Sequence, residues 1–334
     1  MTTNKRGGVK MTAKEIVKSI VEKTQNKGGI KQVYFIACGG SFASFYPSKY
    51  FLQSEAKNIR VEHYTSNEFV HATPKALGEN SVAILVSHGG NTPETVEAAK
   101  LSQGKKAVTI CLTHTENSPL TEYGDYNIAY EFGNESDVLK QKTTIPLELS
   151  VEILNQAEGY DHYKEAMDGF NKINSIIVKA KELTKNNAEA FGKNYKDEKM
   201  IYVMGSGAAY GETYAFSICI LMEMQWVNSA AIHSGEYFHG PFEITDKESP
   251  FIMMMSEGRT RPLDERALNF LKRFGQKIEV IDAKECGLNA IDESVAEFFN
   301  PILFVNVMRI YAEQLAEQRN HPLSERRYMW KLQY

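Results

Sequence analysis

The chain has 334 residues, of which 43% are hydrophobic and 24% charged, so it is long enough for two globular domains with sizeable cores. Its net charge of −4 leaves no surplus of basic residues to neutralise a phosphodiester backbone, which argues against a nucleic-acid partner. No signal peptide and no apolar run long enough to span a membrane is present, so we expect a cytoplasmic protein that does not bind membranes.

Two strand–loop–helix units open the first half of the chain. The apolar segment Val33–Ala37 predicts a buried strand, which is followed by the loop Cys38–Ser41 and a helix beginning near Tyr46. A second strand, Val82–Val86, ends in the loop Ser87–Thr92, where the following proline is typical of a helix start. Apolar strands that alternate with helices predict an α/β fold whose parallel sheet is covered on both faces.

The same pattern recurs in the second half of the chain. Gly205 follows a strand at 200–204 as Gly39 follows the first strand, and Ser256 follows a strand at 251–255 as Ser87 follows the second. The spacing from Gly39 to Gly205 is nearly equal to the spacing from Ser87 to Ser256, which indicates an internal duplication. Further strands are predicted at 107–112, 126–130 and 277–281. We therefore predict a first domain over 12–160, a helical connection over 161–198 and a second domain over 199–334.

The two loops of the first half have the composition of anion sites. A Gly/Ser/Thr loop that ends a strand and opens a helix presents backbone N–H groups, hydroxyl donors and the positive end of the helix dipole together. Gly40 and Ser41 lie in one such loop, and Ser87, Gly89 and Thr92 lie in the other. The first loop lacks the G-x-G-x-x-G pattern and the chain lacks a P-loop, which argues against dinucleotide and nucleotide sites.

Glu223 interrupts the apolar run Ile218–Val227. If this run is an α-helix, the residues three and four positions away are Cys219, Ile220, Trp226 and Val227, so the acid would face the buried side and exclusion from water would favour its neutral form. His239 follows shortly afterwards on a glycine-flanked turn, and together the two groups suit proton transfer. The alternative is a buried glutamate that is paired with an arginine or lysine. The scattered cysteines and histidines predict neither a disulfide framework nor a metal site.

These motifs resemble the sugar isomerase (SIS) family, typified by the isomerase domain of glucosamine-6-phosphate synthase. The resemblance implies two SIS domains related by duplication, with Ser41, Ser87 and Thr92 holding the phosphate of a sugar. Gly89 stands where the synthase has another serine, so its backbone is expected to serve instead. The resemblance also gives Glu223 the proton transfer between C1 and C2, and His239 the opening of the sugar ring.

A second part of the resemblance concerns assembly and cofactors. It implies that His239 reaches into the site of a partner subunit, so a homodimer is expected. Lys331 in the C-terminal tail occupies a place similar to that of the tail lysine of the synthase, which contacts the open-chain sugar. Neither a metal nor a cofactor is implied.

The sequence is more similar to the bacterial fructosamine-6-phosphate deglycases, from about Gly28 to Tyr334. The resemblance is carried by Ala37–Ser41, Gly90–Thr95, Ser217–Trp226, Gly235–Ile244 and His321–Tyr334. It implies hydrolysis of an Amadori product phosphate to glucose 6-phosphate and a free amino acid. Within that group the sequence most resembles deglycases that act on 6-phosphofructose-aspartate, for example in Glu158–Tyr160, Lys172–Asn174 and Asp264–Phe270. Deglycases that act on fructoselysine 6-phosphate are the nearest alternative.

Two other functions stay open on the sequence alone. A phosphosugar-sensing regulator would normally carry a DNA-binding domain in front of this fold, and the residues before Val33 are too few for one. A plain aldose–ketose isomerase would use the same acid and imidazole. The residues that bind the amino-acid part are not indicated clearly, and Lys140, Lys142, Arg259 and Arg261 are candidates for contacting its carboxylates.

Overall fold

The computed structural model describes residues 2–3 and 10–332, and the chain divides into two compact units, Met1–Ala166 and Met167–Tyr334. Each unit is built on one β-sheet flanked by helices, which confirms the predicted α/β class. Gln333 and Tyr334, which belong to the tail segment used for the family resemblance, lie outside the described residues. Within the described part of the chain, no helix is both long enough and apolar enough to cross a bilayer.

The first unit contains a seven-stranded sheet. Its strands are β1 (Thr2–Thr3), β2 (Lys10–Met11), β3 (Gln32–Ala37), β4 (Arg60–Thr65), β5 (Ser81–Val86), β6 (Val108–Thr113) and β7 (Tyr126–Ala129). Its helices are α1 (Ala13–Gln25), α2 (Gly39–Ala43), α3 (Tyr46–Glu55), α4 (Ser66–His71), α5 (Pro93–Gly104) and α6 (Thr144–Ala157). The strand order is β2-β1-β7-β6-β5-β3-β4, in which β3 to β7 pair in parallel and the two short strands pair antiparallel at one edge.

The second unit contains a four-stranded parallel sheet in the order β11-β10-β8-β9. Its strands are β8 (Met200–Gly205), β9 (Asn228–His233), β10 (Phe251–Met255) and β11 (Ile278–Asp282). The helix α7 (Tyr163–Tyr195) contains the boundary between the units and is followed by α8 (Tyr210–Ala215), a π-helix (Phe216–Met224), α9 (Arg261–Phe274) and α10 (Asn300–Gln318).

The two sheets share one topology, which confirms the internal duplication. The order β6-β5-β3-β4 in the first unit matches β11-β10-β8-β9 in the second, strand for strand along the chain. In each unit the chain passes from the first strand of the set (β3 or β8) to a neighbour on one side (β4 or β9). The next strand along the chain (β5 or β10) then lies on the other side of the first strand. Such a reversal creates a crevice at the carboxyl ends of the two central strands, where open α/β sheets bind ligands.

All seven strands predicted from the sequence are present, with ends shifted by one residue or less, whereas four strands were missed. Three of these, β2, β4 and β9, lie at sheet edges and pair on one side only. Exposed and buried residues are mixed along β4, and β9 has the sequence Asn-Ser-Ala-Ala-Ile-His, which is poor in strand-forming residues. β4 and β9 are therefore extended because they pair with β3 and β8, and not because their local sequences favour strands.

Candidate active site

The two predicted anion loops begin side by side in the first unit. The segment Cys38–Ser41, which was predicted as a loop, follows β3 and already enters α2 at Gly39, and the loop Ser87–Thr92 follows β5. These strands are hydrogen-bonded neighbours in register, with Ala37 opposite Val86, so both loops leave the sheet at the carboxyl ends of adjacent strands. Because β3 and β5 are also the strands at which the chain reverses direction, the loops occupy the place where this class of sheet binds ligands.

Ser87 and Thr92 form a hydroxyl pair. Their side-chain oxygens lie 2.9 Å apart, and the backbone nitrogen of Thr92 lies 3.5 Å from Ser87 Oγ. Thr92 also precedes α5, which begins at Pro93. Because a hydroxyl pair uses only one of its two protons internally, one O–H can be donated to an anion at the start of this helix.

The two glycines of this loop lie close to neighbouring side chains, and Gly90 is required by its backbone conformation. Gly90 has a left-handed backbone with φ of 65°, and a Cβ there would lie 1.8 Å from Ser118 Oγ. A Cβ on Gly89 would lie 2.7 Å from Asn91 Oδ1. The exposed Asn91 side chain would therefore have to shift to admit a serine at position 89.

Ser41 lies in the short helix α2, directly after the turn at Gly40. Its backbone N–H donates to the Cys38 carbonyl at 3.1 Å, and its carbonyl accepts from Ser44 Oγ at 2.7 Å. Gly39 has a φ of 55°, which lets the chain turn sharply out of β3. Within residues 10–332, no hydrogen bond engages the largely buried Ser41 hydroxyl, so it can donate to a ligand.

His63 on β4 supports this first loop. Its ring stacks on Phe42 with centroids 3.6 Å apart, and its Nε2 lies 3.0 Å from the Phe42 carbonyl. Burial lowers the pKa of His63 to about 3, with the charge of Lys49 acting in the same direction and the hydrogen bond to the carbonyl opposing both. A neutral His63 therefore donates Nε2–H to the loop that carries Ser41.

A second group of rings adjoins the other loop. His88 follows Ser87 and stacks in parallel on His114 at 5.0 Å, while its Nδ1 lies 2.9 Å from the Tyr130 hydroxyl. Burial lowers the pKa of His88, and Lys142 and His114 add to this effect. No sequence pattern indicated this arrangement, because the three rings come from three different strand ends.

In the second unit, Glu223 does not lie on the predicted α-helix. The segment Phe216–Met224 is a π-helix, and its i→i+5 pattern includes the bond from the Gln225 N–H to the Ile220 carbonyl. The neighbours predicted from three- and four-residue spacing therefore do not apply: Trp226 takes a left-handed backbone conformation and is 40% exposed. The Glu223 side chain is 24% exposed, so it is largely but not fully removed from water.

Glu223 is instead held by an ion pair. Its Oε1 lies 2.7 Å from Nη2 of Arg326, whose side chain is only 7% exposed. Arg326 belongs to the C-terminal tail, which is distant from Glu223 along the chain. The alternative of a glutamate paired with a cation is therefore the observed arrangement, although the cation could not be identified from the sequence.

His239 and Lys331, the other two candidates in this unit, differ in their surroundings. His239 is exposed on a turn, with its backbone N–H donating to the Glu236 carbonyl at 2.9 Å and Gly240 at φ 135°. Lys331 turns back on its own tail, where its Nζ donates to the Arg326 carbonyl and lies 3.4 Å from Glu325 Oε1. His239 is thus exposed to solvent, whereas Lys331 makes its contacts within the C-terminal tail.

The loop after β10, which corresponds to Ser87–Thr92 by duplication, is occupied by the protein itself. Asp264 Oδ2 accepts from the Ser256 N–H at 2.9 Å and from the Ser256 hydroxyl at 2.5 Å. Asp264 is fully buried in the first turn of α9. A carboxylate already takes the donors that an anion would need, so of these two loops only the one in the first unit offers them to a ligand.

Ion pairs within the protein engage Arg259, Arg261 and Lys140, which are candidates for binding an amino-acid carboxylate. Arg259 pairs with the buried Glu297, Arg261 pairs with Asp282 through both oxygens, and Lys140 pairs with Glu131 at 3.0 Å. These ion pairs reduce the positive charge and the N–H donors that the three side chains can offer to a substrate carboxylate.

Comparisons with known proteins agree with this architecture. Residues 29–152 match the SIS domain model. The chain is 46% identical to fructosamine deglycase FrlB of Bacillus subtilis (strain 168), across 91% of this chain and 93% of the relative. It is 26% identical to fructoselysine 6-phosphate deglycase of Escherichia coli K12, across 94% of this chain and 89% of the relative.

A solved structure gives the same result for the fold. A protein from Salmonella typhimurium LT2, provisionally described as a phosphosugar isomerase, superposes with a TM-score of 0.93 at 47% identity. The match covers 99% of this chain and all of the other. The fold and the sequence therefore agree over nearly the full length.

We predict that His63 makes the stability of the first unit depend on acidity. Its pKa is lowered on folding, so its contribution is complete above about pH 6.5 and is lost as the pH falls towards about 3, at about 1 kcal/mol per pH unit. Urea unfolding of the His63→Gln variant between pH 7 and 4.5 should show a weaker loss than the unmodified protein. The exposed His71→Gln variant is the control, and equal pH dependence in all three proteins would contradict the prediction.

Proposed function

The chain belongs to the fructosamine deglycase family of SIS-domain proteins, and from this premise we propose that it hydrolyses a 6-phosphorylated Amadori product. The observation that carries the proposal is the 46% identity to a fructosamine deglycase over nine-tenths of the chain. The loop geometry supports a phosphate ligand, because two hydroxyl-bearing loops follow the carboxyl ends of adjacent parallel strands.

We propose that the first unit holds the phosphate of the sugar. Ser41 and the Ser87–Thr92 pair would each donate one hydroxyl proton to its oxygens, and the backbone N–H groups of Gly40 and Gly89 would add further donors. Donors to an anion form shorter and stronger hydrogen bonds than donors to a neutral group. This anchoring would hold C1 and C2 of the sugar in a fixed register for the chemistry.

The proposed reaction begins with ring opening and a proton shift. His239 would move a proton from the anomeric hydroxyl to the ring oxygen, a task suited to an imidazole near neutral pH. Glu223 would take the proton from C1 while the carbonyl oxygen on C2 gains a proton, which gives an enaminol. Glu223 would then return its proton at C2 while the nitrogen loses one. The double bond to nitrogen then lies at C1, so the product of this step is a Schiff base.

Hydrolysis completes the proposed reaction. Water adds to C1 of the Schiff base, the carbon–nitrogen bond breaks and the amine leaves with a proton. The products are glucose 6-phosphate and a free amino acid. Every step is a proton transfer or an addition of water, so the balance requires no oxidant and no reductant.

For the amino-acid part, we propose aspartate, with lysine as the alternative. The support for aspartate is the sequence resemblance in segments such as Asp264–Phe270, whereas a relative that is 26% identical acts on the lysine compound. Since Arg259, Arg261 and Lys140 are already paired, we assign none of them to this part of the substrate.

We predict that Glu223→Gln reduces kcat by about 10²–10⁴-fold or more while the affinity for glucose 6-phosphate changes little. The amide has nearly the same shape as the carboxylate but cannot accept the C1 proton. Stopped assays give kcat, and calorimetric titration with glucose 6-phosphate gives Kd. Near-normal turnover by this variant would remove Glu223 from the mechanism.

We predict that the protein releases aspartate and glucose 6-phosphate from 6-phosphofructose-aspartate faster than it releases lysine from fructoselysine 6-phosphate. Coupled detection of glucose 6-phosphate, together with amino-acid analysis, measures both products. Release of the lysine compound alone would replace the proposed substrate. Interconversion of fructose 6-phosphate and glucose 6-phosphate without release of any amine would instead identify an aldose–ketose isomerase.

We also propose that the protein is a homodimer in which His239 serves the partner subunit's site, and we predict that two inactive variants complement each other. Glu223→Gln and His239→Ala subunits that are mixed, unfolded and refolded together should regain roughly a quarter of normal activity, because each hybrid dimer contains one intact site. Each variant refolded alone is the control. Recovery no greater than in the controls would place His239 and Glu223 of the same subunit together.

A further inference from the structure

Arg326 is enclosed by a turn of the C-terminal tail. Its Nη1 donates to the carbonyls of Leu323 and Glu325, both at 2.8 Å. The Arg326 carbonyl in turn accepts from Lys331 Nζ, and the guanidinium lies 5.2 Å from the ring of Trp330. The tail thus fixes the position of this guanidinium through its own backbone.

A buried guanidinium needs a compensating negative charge. Arg326 is 7% exposed, and its buried Nε has no hydrogen-bond partner among residues 10–332. Backbone carbonyls supply only dipoles, whereas Glu223 supplies the formal charge. Removing one member of such a pair leaves the other charge uncompensated, so Arg326 and Glu223 depend on one another.

The contact restrains one oxygen of Glu223 and leaves the other available. Nη2 of Arg326 lies 2.7 Å from Oε1. In the described part of the chain, no hydrogen bond or ion pair is made by Oε2, and the side chain is 24% exposed. A carboxylate that acts as a base needs this arrangement, with one oxygen held and one free to accept a proton.

A second contact joins the tail to the end of the π-helix. The Arg327 guanidinium lies 4.3 Å from the ring of Trp226, and the His321 ring lies 4.4 Å from the same ring. Gln225 Nε2 donates to the His321 carbonyl at 2.8 Å. The tail is therefore docked against the segment that carries Glu223 at several points, and among its residues up to 332 only Arg326 pairs with the carboxylate.

We propose that Arg326 is a positioning residue that holds Glu223 Oε1, so that Oε2 is presented to C1 and C2 of the sugar. This inference rests on the proposed function, because it assigns Arg326 a role only through Glu223. Arginine suits the role better than lysine, because its planar fork donates to two tail carbonyls and to the carboxylate at once. The tail would then contribute to catalysis through this ion pair in addition to any contact of Lys331 with substrate.

The test compares three tail variants in two backgrounds. Arg326→Met removes the charge and keeps the length, Arg326→Lys keeps the charge without the fork, and Arg327→Met is the matched control in the adjacent residue. Each is made in the unmodified protein and in Glu223→Gln. The measurements are kcat and KM on 6-phosphofructose-aspartate, Kd for glucose 6-phosphate, and thermal unfolding.

We expect Arg326→Met to lower kcat by about 10²-fold with KM and Kd within about threefold, since small displacements of a catalytic group have effects of this size. Arg326→Lys should recover part of the loss, and Arg327→Met should stay within about threefold of normal. In the Glu223→Gln background, Arg326→Met should lower kcat no further, because a residue that acts through Glu223 has nothing left to position.

Different failures have different meanings. Normal kcat in Arg326→Met, with Glu223→Gln inactive, would overturn the positioning role and leave the proposed function intact. High activity in Glu223→Gln would overturn the proposed function itself. If Arg326→Met does not fold, Arg326→Lys decides: a kcat defect at unchanged Kd supports the proposal, and either normal kcat or a parallel loss of Kd overturns it.

Discussion

The pairing of β3 with β5 is the constraint on which the anion loops depend. Parallel pairing with Ala37 opposite Val86 brings the two loops out of the sheet together, although they are well separated along the chain. The switch in chain direction at this pair leaves a crevice that no crossover connection covers. The strand order therefore places the hydroxyls of Ser41, Ser87 and Thr92 at the carboxyl ends of two adjacent strands.

Duplication supplied the second unit with the same crevice, but the chemistry there has diverged. When Ser87 is aligned with Ser256, Thr95 in the first unit corresponds to Asp264 in the second. The Thr95 hydroxyl forms a hydrogen bond with the Ser66 hydroxyl at 2.8 Å, and Ser87 pairs with Thr92. Asp264, in contrast, accepts from both the N–H and the hydroxyl of Ser256. A neutral hydroxyl at this helical position keeps the loop open to an anion, and a carboxylate closes it.

The sequence was informative where structure follows from local pattern. The buried strands were predictable because continuous apolar runs bounded by glycine and serine leave few alternatives, and the two loops followed from them. Glu223 was found because a charge within an apolar run requires compensation. Its surroundings were not predictable, since the π-helix changes which residues are neighbours and since Arg326 reaches it from the tail. Contacts between distant segments carry no periodic signal, so His63 and Arg326 could not be recognised.

The irregular backbone around Glu223 is consistent with a site whose geometry is set by tertiary contacts. π-Helices are rare and are found frequently at functional sites, because one additional residue per hydrogen-bonded turn redirects a side chain. Here the π-helix ends at Met224 and Trp226 adopts φ of 55°, a conformation that a bulky residue takes only when its surroundings enforce it. The tail supplies such surroundings through His321, whose ring contacts Trp226 and whose carbonyl accepts from Gln225 Nε2. The backbone irregularity and the docked tail therefore act on the same carboxylate, and the orientation of Glu223 depends on both.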